Sequence, residues 1–464
     1  MDWGLMSLLP LVATLVIAFL SRSALIAMLV GTFAGTLMIG SAPGVGLNEL
    51  FQSSLGNPDF IWICEIVLLI GVLFELFRQS GVLSALARRF SAARGDRRKV
   101  ELSAWAMGFV IVDDYFSPLL TGAVMRPMSD RALIPREKLA FILDSTTASV
   151  CILVPFTAWG AYVSSLIAAQ GGPVGSVEEG LAVFIGAIPY NFYPILLILF
   201  TLLVAAGVVP DFGPMKRAER RAASTGAVLR PGGRPLSSDA DAVDPDHVPD
   251  VPPSLLLELL LPILLLFAVG TWSLVATGSV RIVEAFLLAD TWLVLVFAVR
   301  GRFARVADVG DVIVNGARNV AAALLIVALA YSLNAVTAQL GAADVIIAHF
   351  ADDLTPNTLV ALAFLLTAAI SFATGTSWGA YALMLPVTLP LAFEFTGGEL
   401  APLVHQAVAA VAGGGIFGDH SSPVSDTTVL SSVGAGSDHI DHVVTQLPYA
   451  MLIAALTLLA YAFL

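Results

Sequence analysis

Four polar stretches interrupt long apolar runs in this 464-residue chain: DDYFSP at 113–118, VPFTAWGAY at 154–162, TGTSWG at 374–379 and GGGIFGDHSSPVSDTT at 413–428. Together they supply four carboxylates, Asp113, Asp114, Asp419 and Asp426. They also supply the hydroxyls of Ser117, Thr157, Thr376, Ser377, Ser421, Ser422 and Thr427, with carbonyls freed beside Gly and Pro. A hard cation such as Na+ takes oxygen ligands of these kinds. A carboxylate in such a set can also take a proton if partial burial raises its affinity for one, so one group can serve two ions in turn. No Cys–His set competes as a soft-metal site. Cys64 and Cys151 fall inside apolar runs without CxxC spacing and read as small buried hydrophobes.

The elements that must position these groups follow from composition. With 58% hydrophobic and 12% charged residues, the chain lies outside the range of soluble domains and reads as an all-α polytopic membrane protein. At about 20 residues per crossing there is room for roughly ten to fourteen spanning or half-spanning segments. Unwound backbone survives at membrane depth only where it lines a cavity or is buried in protein, so the four polar stretches are discontinuities at the midplane. Ionisable groups there are functional candidates by default. The segment 5–20 lacks a basic leader and a small-residue cleavage site and reads as a retained helix.

Basic residues concentrate in 88–99, 126–138, 216–234 and 300–305, whereas 41–60, 170–180, 338–356 and 394–401 hold no Lys or Arg. The first set is expected in the cytoplasm and the second outside, with the N-terminus outside. The run 102–125 then has inside-type loops at both ends and reads as a re-entrant hairpin with its tip at 113–118. The run 359–393 has outside-type loops at both ends and reads as a second hairpin, with its tip at 374–379. A shift of 261 residues carries Asp113 onto Thr374 and Phe156 onto Phe417, and brings the spans beginning near 5, 24, 61 and 181 onto those near 266, 285, 322 and 442. Each half holds about five crossings plus one hairpin. An odd number of crossings inverts the second half, and inverted repeats with discontinuous helices are the pattern of secondary transporters. The first repeat is expected over 1–209 and the second over 255–464. Between them, 210–254 is rich in Pro, Gly, Ser and charge and reads as a flexible, hydrophilic cytoplasmic linker.

The stretch FGDHSSPVSDTTVLSSVGAGSDHIDHVVTQLPYA, with TGTSWGAYALMLP upstream, closely resembles the NhaC-type sodium/proton antiporter family of the ion transporter superfamily, over nearly the whole chain. The resemblance implies inverted repeats with two hairpins and two broken helices, Na+ bound at the tips and breaks, exchange of Na+ for H+ across the cell membrane, and a homodimer. It also implies an alternative, because relatives in that family move organic acids such as malate and lactate, or amino acids. The expected partners are Na+, H+, the lipid bilayer and at most a small organic anion or amino acid. No nucleic acid and no cofactor beyond the transported Na+ are expected.

Asp113 and Asp114 are adjacent and cannot both enter one cavity from a regular helix. Asp114 is preferred, because Asp114 and Ser117 share an Asp-x-x-Ser-Pro spacing with Asp419 and Ser422. The bland alternative makes Asp419 and Asp426 ordinary cap and turn residues. Asp144, Glu65 and His405 are candidates for a proton relay. Asp144, near a basic loop, is as readily interfacial, and Glu65 as readily serves a helix–helix hydrogen bond. DHIDH at 438–442 has a metal-like look but reads as a solvated cytoplasmic turn. GTSWG fits the G-x-S-x-G nucleophile elbow, yet it interrupts a helix pattern where the elbow needs a strand before it. An enzyme is therefore not expected. A channel is not expected either, since it needs a continuous pathway and not two inverted broken-helix sites.

Overall fold

The computed structural model describes residues 3–463 apart from 22, 40–42, 86–95, 110–111, 156, 169, 238–250, 278–280, 343–344, 346–354 and 357. Among the described residues the regular structure is helical, with one isolated bridge between Pro235 and Asp438. The N-terminal helices are α1 (Leu9–Ser21), α2 (Ala24–Met38), α3 (Pro43–Leu55) and α4 (Pro58–Ser80). Next come α5 (Arg97–Met107), α6 (Phe116–Arg131), α7 (Arg136–Cys151), α8 (Ala158–Ala168), α9 (Val177–Ala187) and α10 (Phe192–Ala205). After α11 (Gly213–Thr225) follow α12 (Leu261–Thr277), α13 (Ile282–Val299) and α14 (Ala307–Gln339). The chain closes with α15 (Leu359–Thr374), α16 (Ser377–Phe395), α17 (Pro402–Ser421), α18 (Asp426–Ala435) and α19 (His439–Ala462).

Among the described residues, five helical spans are long and apolar enough to cross a bilayer alone: Phe60–Ser80, Leu256–Thr277, Ile282–Val299, Ser377–Phe395 and His439–Ala462. A sixth is the pair Glu178–Tyr190 and Phe192–Ala205, bent by 47°. Their outer faces carry exposed apolar side chains, such as Trp272, Val275 and Leu295. In water such a surface would drive aggregation, whereas in lipid it costs nothing. The chain is a multi-pass membrane protein.

The breaks fall at short-range signals. Ser425 accepts from Thr428 N and starts α18, Thr376 accepts from Gly379 N and starts α16, and Gly375 ends α15 at φ +72. The triple glycine 413–415 does not unwind as the sequence suggested. It stays helical within α17, and the break that follows is only the four residues 422–425. Those glycines act through packing: a Cβ on Gly414 would lie 2.5 Å from the Phe364 carbonyl oxygen, and one on Gly418 would lie 2.3 Å from Phe372 N. The α17 backbone therefore runs directly against α15. Gly122 of α6 and Gly434 of α18 bring those two helices equally close.

The first part of the expected linker is not a free tether. Its helix α11 buries Met215, Ala218 and Ala222, and Arg221 donates to both carboxylate oxygens of Glu137 at 3.0 and 2.9 Å. Beyond it, Arg230 pairs with Asp441 at 2.5 Å, Arg234 N donates to Asp438 at 2.8 Å, and Ser237 donates to the Val433 carbonyl at 2.9 Å. The segment roofs the turn between α18 and α19. Under that roof Lys138 meets Glu101, Asp211 and Glu219 at 3.0, 2.9 and 3.3 Å, and Arg97 meets Glu219 at 2.5 Å.

Three carboxylates thus share two cations, and Glu101 bears the imbalance. Burial, reinforced by Glu219, pushes its carboxyl up to about 7 against the pull of Lys138 and Arg97. A carboxylic acid whose affinity for its proton is raised by folding stabilises the fold most at low pH, and that contribution is lost as pH rises from the ordinary value to about 7. The thermal unfolding midpoint in detergent should accordingly fall as pH rises from about 5 to about 8, and Glu101→Gln should flatten that slope. An unchanged slope in Glu101→Gln would assign the dependence to another group.

Candidate functional site

The centre of the site is the Asp419 carboxylate, on the last turn of α17 and 1% exposed. Ser377, at the start of α16, donates to Oδ2 at 3.0 Å, while Ser425 and Thr427 beyond the break donate to Oδ1 at 2.6 and 3.0 Å. Thr428 donates to the Asp419 backbone carbonyl at 2.7 Å. Three hydroxyls from two separate elements thus enclose one carboxylate, and no Lys or Arg among the described residues is bonded to it. A buried carboxylate without a counter-ion is held by such hydrogen bonds, or by a cation, or by a proton.

The other polar stretches converge on the same region. Asp113 Oδ1 accepts from the backbone N–H groups of Tyr115 and Phe116 at 3.1 and 2.6 Å, which makes it the cap of α6. Asp114, 5% exposed, points elsewhere and accepts from Trp159 Nε1 at 2.8 Å. Asp426 Oδ2 accepts from the Tyr115 hydroxyl at 3.2 Å, tying the first interrupted run to the second-half break. Trp159 also packs on Trp378, with ring centroids 5.4 Å apart. Asp114 stands close enough to Asp113, Asp426 and Asp419 to feel their charges.

The remaining sequence candidates are placed as follows. Thr376 caps α16 and Ser377 reaches Asp419, as above. Thr157 donates to the Cys151 and Val154 carbonyls at 3.0 and 3.1 Å, so it staples the break between α7 and α8. Ser421 and Ser422 do not reach Asp419: their hydroxyls go to the Phe417 and Phe372 carbonyls at 2.5 and 2.6 Å. Ser117 is buried in the first turn of α6, where its N–H closes on the Asp113 carbonyl. His405 is half-buried on α17, where Gly186 makes room for its ring. It lies 14 residues and thus about 21 Å along the helix from Asp419. Glu65 is exposed on α4.

Asp144 is buried within the protein. It is 1% exposed and accepts from Ser431 at 3.2 Å and from Gln446 Nε2 at 2.9 Å. The same Gln446 amide bonds the His420 carbonyl, and the His420 ring contacts Ser145 Oγ at 3.0 Å and the Tyr193 hydroxyl at 3.3 Å. DHIDH is not a solvated turn: His439 and His442 are 4% and 0% exposed. His439 Nε2 lies 2.8 Å from the Pro423 carbonyl, which can only accept, so this nitrogen carries a proton. Ser432 donates its one hydroxyl proton to the Thr428 carbonyl at 2.8 Å, and the Nδ1 atoms of His439 and His442 lie 3.0 and 2.8 Å from the same Ser432 oxygen. His442 Nε2 stands 3.8 Å from Asp144 Oδ2.

Sequence reasoning missed Ser425, His420, Tyr115, Gln446 and His442. Ser425 carried a signal, since SDTT is a capping pattern directly after a proline turn. The others are assembled by contacts more than 200 residues apart or by helix neighbours that only the fold identifies.

A family model described as the Na+/H+ antiporter family matches residues 150–464 of the chain. An uncharacterized protein of Haemophilus influenzae is 30% identical over 98% of this chain and 90% of its own length. The arginine/ornithine antiporter of Halobacterium salinarum is 31% identical over 30% of this chain and 28% of its own length. The malate-2H(+)/Na(+)-lactate antiporter of Bacillus subtilis is 29% identical over 29% of this chain and 28% of its own length.

Proposed function

The chain belongs to the Na+/H+ antiporter family and is a secondary transporter, and on that premise we propose that it exchanges Na+ for H+ across the cytoplasmic membrane by alternating access, the two ions competing for Asp419. The observation that carries this reading is the hydroxyl enclosure of that carboxylate by Ser377, Ser425 and Thr427. A Na+ entering there meets one negative charge and several neutral oxygens, the donor set a hard monovalent cation takes. A proton on Asp419 removes the charge and with it most of the attraction, so binding of either ion expels the other.

Asp144 and His442 form the proton path in this reading. Asp144 Oδ2 and His442 Nε2, 3.8 Å apart, offer the proton two titratable groups between the Asp419 break and the roofed end of α19. The architecture we infer is two inverted repeats with re-entrant hairpins at α5–α6 and α15–α16. Its support is the recurrence of elements at the 261-residue shift, which carries α13 onto residues 21–38, where α2 lies, and α16 onto residues 116–134, where α6 lies. The same reading places the N-terminus outside and the linker in the cytoplasm, makes the protein a homodimer, and requires no cofactor beyond the transported ion.

The test is a proteoliposome assay with an imposed Na+ gradient and an internal pH dye, with and without malate, lactate, arginine or ornithine. Proton movement on Na+ alone is the expected result. A strict requirement for one of the organic solutes would replace the reading by a coupled organic-solute exchange of the kind named for the Halobacterium and Bacillus relatives.

A further inference from the structure

At the interrupted stretch 113–118 lies a cavity of about 270 Å³, lined by Asp113, Asp114 and Trp159 and by Leu266, Phe267 and Phe286 of α12 and α13. A single water needs only ~10–15 Å³ of such space, so the cavity far exceeds a bare ion. Its walls are largely carbon, which suits a ligand with an apolar body.

The sign of the ligand's charge follows from the polar groups. Those charged groups that line the cavity are Asp113 and Asp114, and among the described lining residues there is no Lys, Arg or His. The backbone N–H groups that open α6, where an anion would bind, are occupied by Asp113 Oδ1. Nε1–H of Trp159 is spent on Asp114. An anion entering the cavity would lose its water and find two carboxylates. A cation finds a buried counter-ion and an aromatic lining of Trp159, Phe116, Phe267 and Phe286. Indole and phenyl rings attract cations through their negative faces.

We propose that this cavity binds a small organic cation, an ammonium group on a hydrocarbon body, with Asp114 as its counter-ion and Trp159 beside it. The inference rests on the exchanger reading and adds to it a second transported species.

The test uses the purified full chain in detergent and three probes of matched body: butyltrimethylammonium, butanesulfonate and the zwitterion norleucine. Butyltrimethylammonium should raise the unfolding temperature, while butanesulfonate and norleucine leave it unmoved. Asp114→Asn should weaken the apparent affinity for the cation by roughly tenfold or more. Leu266→Trp, which fills the cavity from α12, should abolish the cation response while Na+ still stabilises the protein. Stabilisation by butanesulfonate or norleucine equal to that by the cation overturns the proposal, as does an unchanged cation response in Leu266→Trp. If instead Na+ stabilises Asp419→Asn as well as the parent, the Na+/H+ reading fails while the cavity result stands or falls on the three probes.

Discussion

Asp419→Asn abolishes Na+-driven proton movement in proteoliposomes while the protein stays folded. Asn keeps the shape of Asp, and its amide oxygen still accepts from Ser425 and Thr427, which lie 2.6 and 3.0 Å from Oδ1. The amide nitrogen takes the place of Oδ2 and donates to the Ser377 oxygen, now an acceptor. The hydrogen-bond enclosure therefore survives the change, and only the charge is lost. Removing the charged partner of a buried ion costs about 3–5 kcal/mol, which at ~1.4 kcal/mol per tenfold is about two orders of magnitude or more in Na+ affinity. Asn also cannot carry the exchanged proton, so turnover stops even at saturating Na+. Ser377→Ala removes one neutral oxygen and leaves the carboxylate. It should cost about 1 kcal/mol, roughly a fivefold rise in the Na+ concentration for half-maximal flux. Full activity in Asp419→Asn would end the competition mechanism, and a Ser377→Ala defect as severe as that of Asp419→Asn would move the ion site toward α16.

Gly418→Ala should be among the most damaging single methyls at the described glycines. The added carbon would lie 2.3 Å from Phe372 N and 2.4 Å from the Ser371 carbonyl carbon, both backbone atoms of α15 that cannot rotate away. Helices α15 and α17 must then separate by about 1 Å to restore ordinary contact, and the separation lifts Asp419 from its Ser377 hydrogen bond. Overpacking of this kind costs about 1–3 kcal/mol or more, so both the unfolding temperature and Na+-driven flux should drop. Gly310 is the control. It is exposed on α14, and an added methyl there meets nothing within 4 Å. Gly310→Ala should be neutral or stabilise by roughly 0.5–1 kcal/mol through helix propensity. Equal behaviour of the two alanines in a thermal-shift assay would refute the packing argument.

The membrane class and the break at Asp419 were legible because a carboxylate among hydroxyls inside an apolar run has no inexpensive bland explanation. The choice of Asp114 for chemistry rested on two neighbours being unable to face one cavity, and Asp113 indeed spends its carboxylate on the α6 backbone. Asp144 was left open between a relay role and an interfacial place, because distance along the chain from a basic loop does not report burial, and here α11 covers that loop. DHIDH was misjudged for the same reason: what buries His439 and His442 is the strap at 230–237 and the body of α7, neither of which is local in sequence. The triple glycine suggested unwinding because Gly is a helix breaker in isolation. In the folded chain the space of its missing side chains is taken by Asn191 and Tyr193, by Phe364 and Thr367 of α15 and by Tyr381 of α16, and close helix packing repays the lost propensity. The pairing of Asp419 with Ser422 followed a shared spacing with Asp114 and Ser117, but spacing cannot say which carbonyl a serine at a break will face.

The strap from Arg230 to Ser237 belongs by sequence to the N-terminal part of the chain, yet its contacts are with Asp438, Asp441 and Val433 of the C-terminal part. Whatever rocking motion carries α18 and α19 must therefore carry this strap as well. Cutting the chain anywhere in 238–250 would leave the clasp on the N-terminal fragment, already shaped to grip its partner. Two co-expressed pieces, 1–237 and 251–464, should thus find each other and copurify, so that covalent continuity between the halves is dispensable once the clasp is in place.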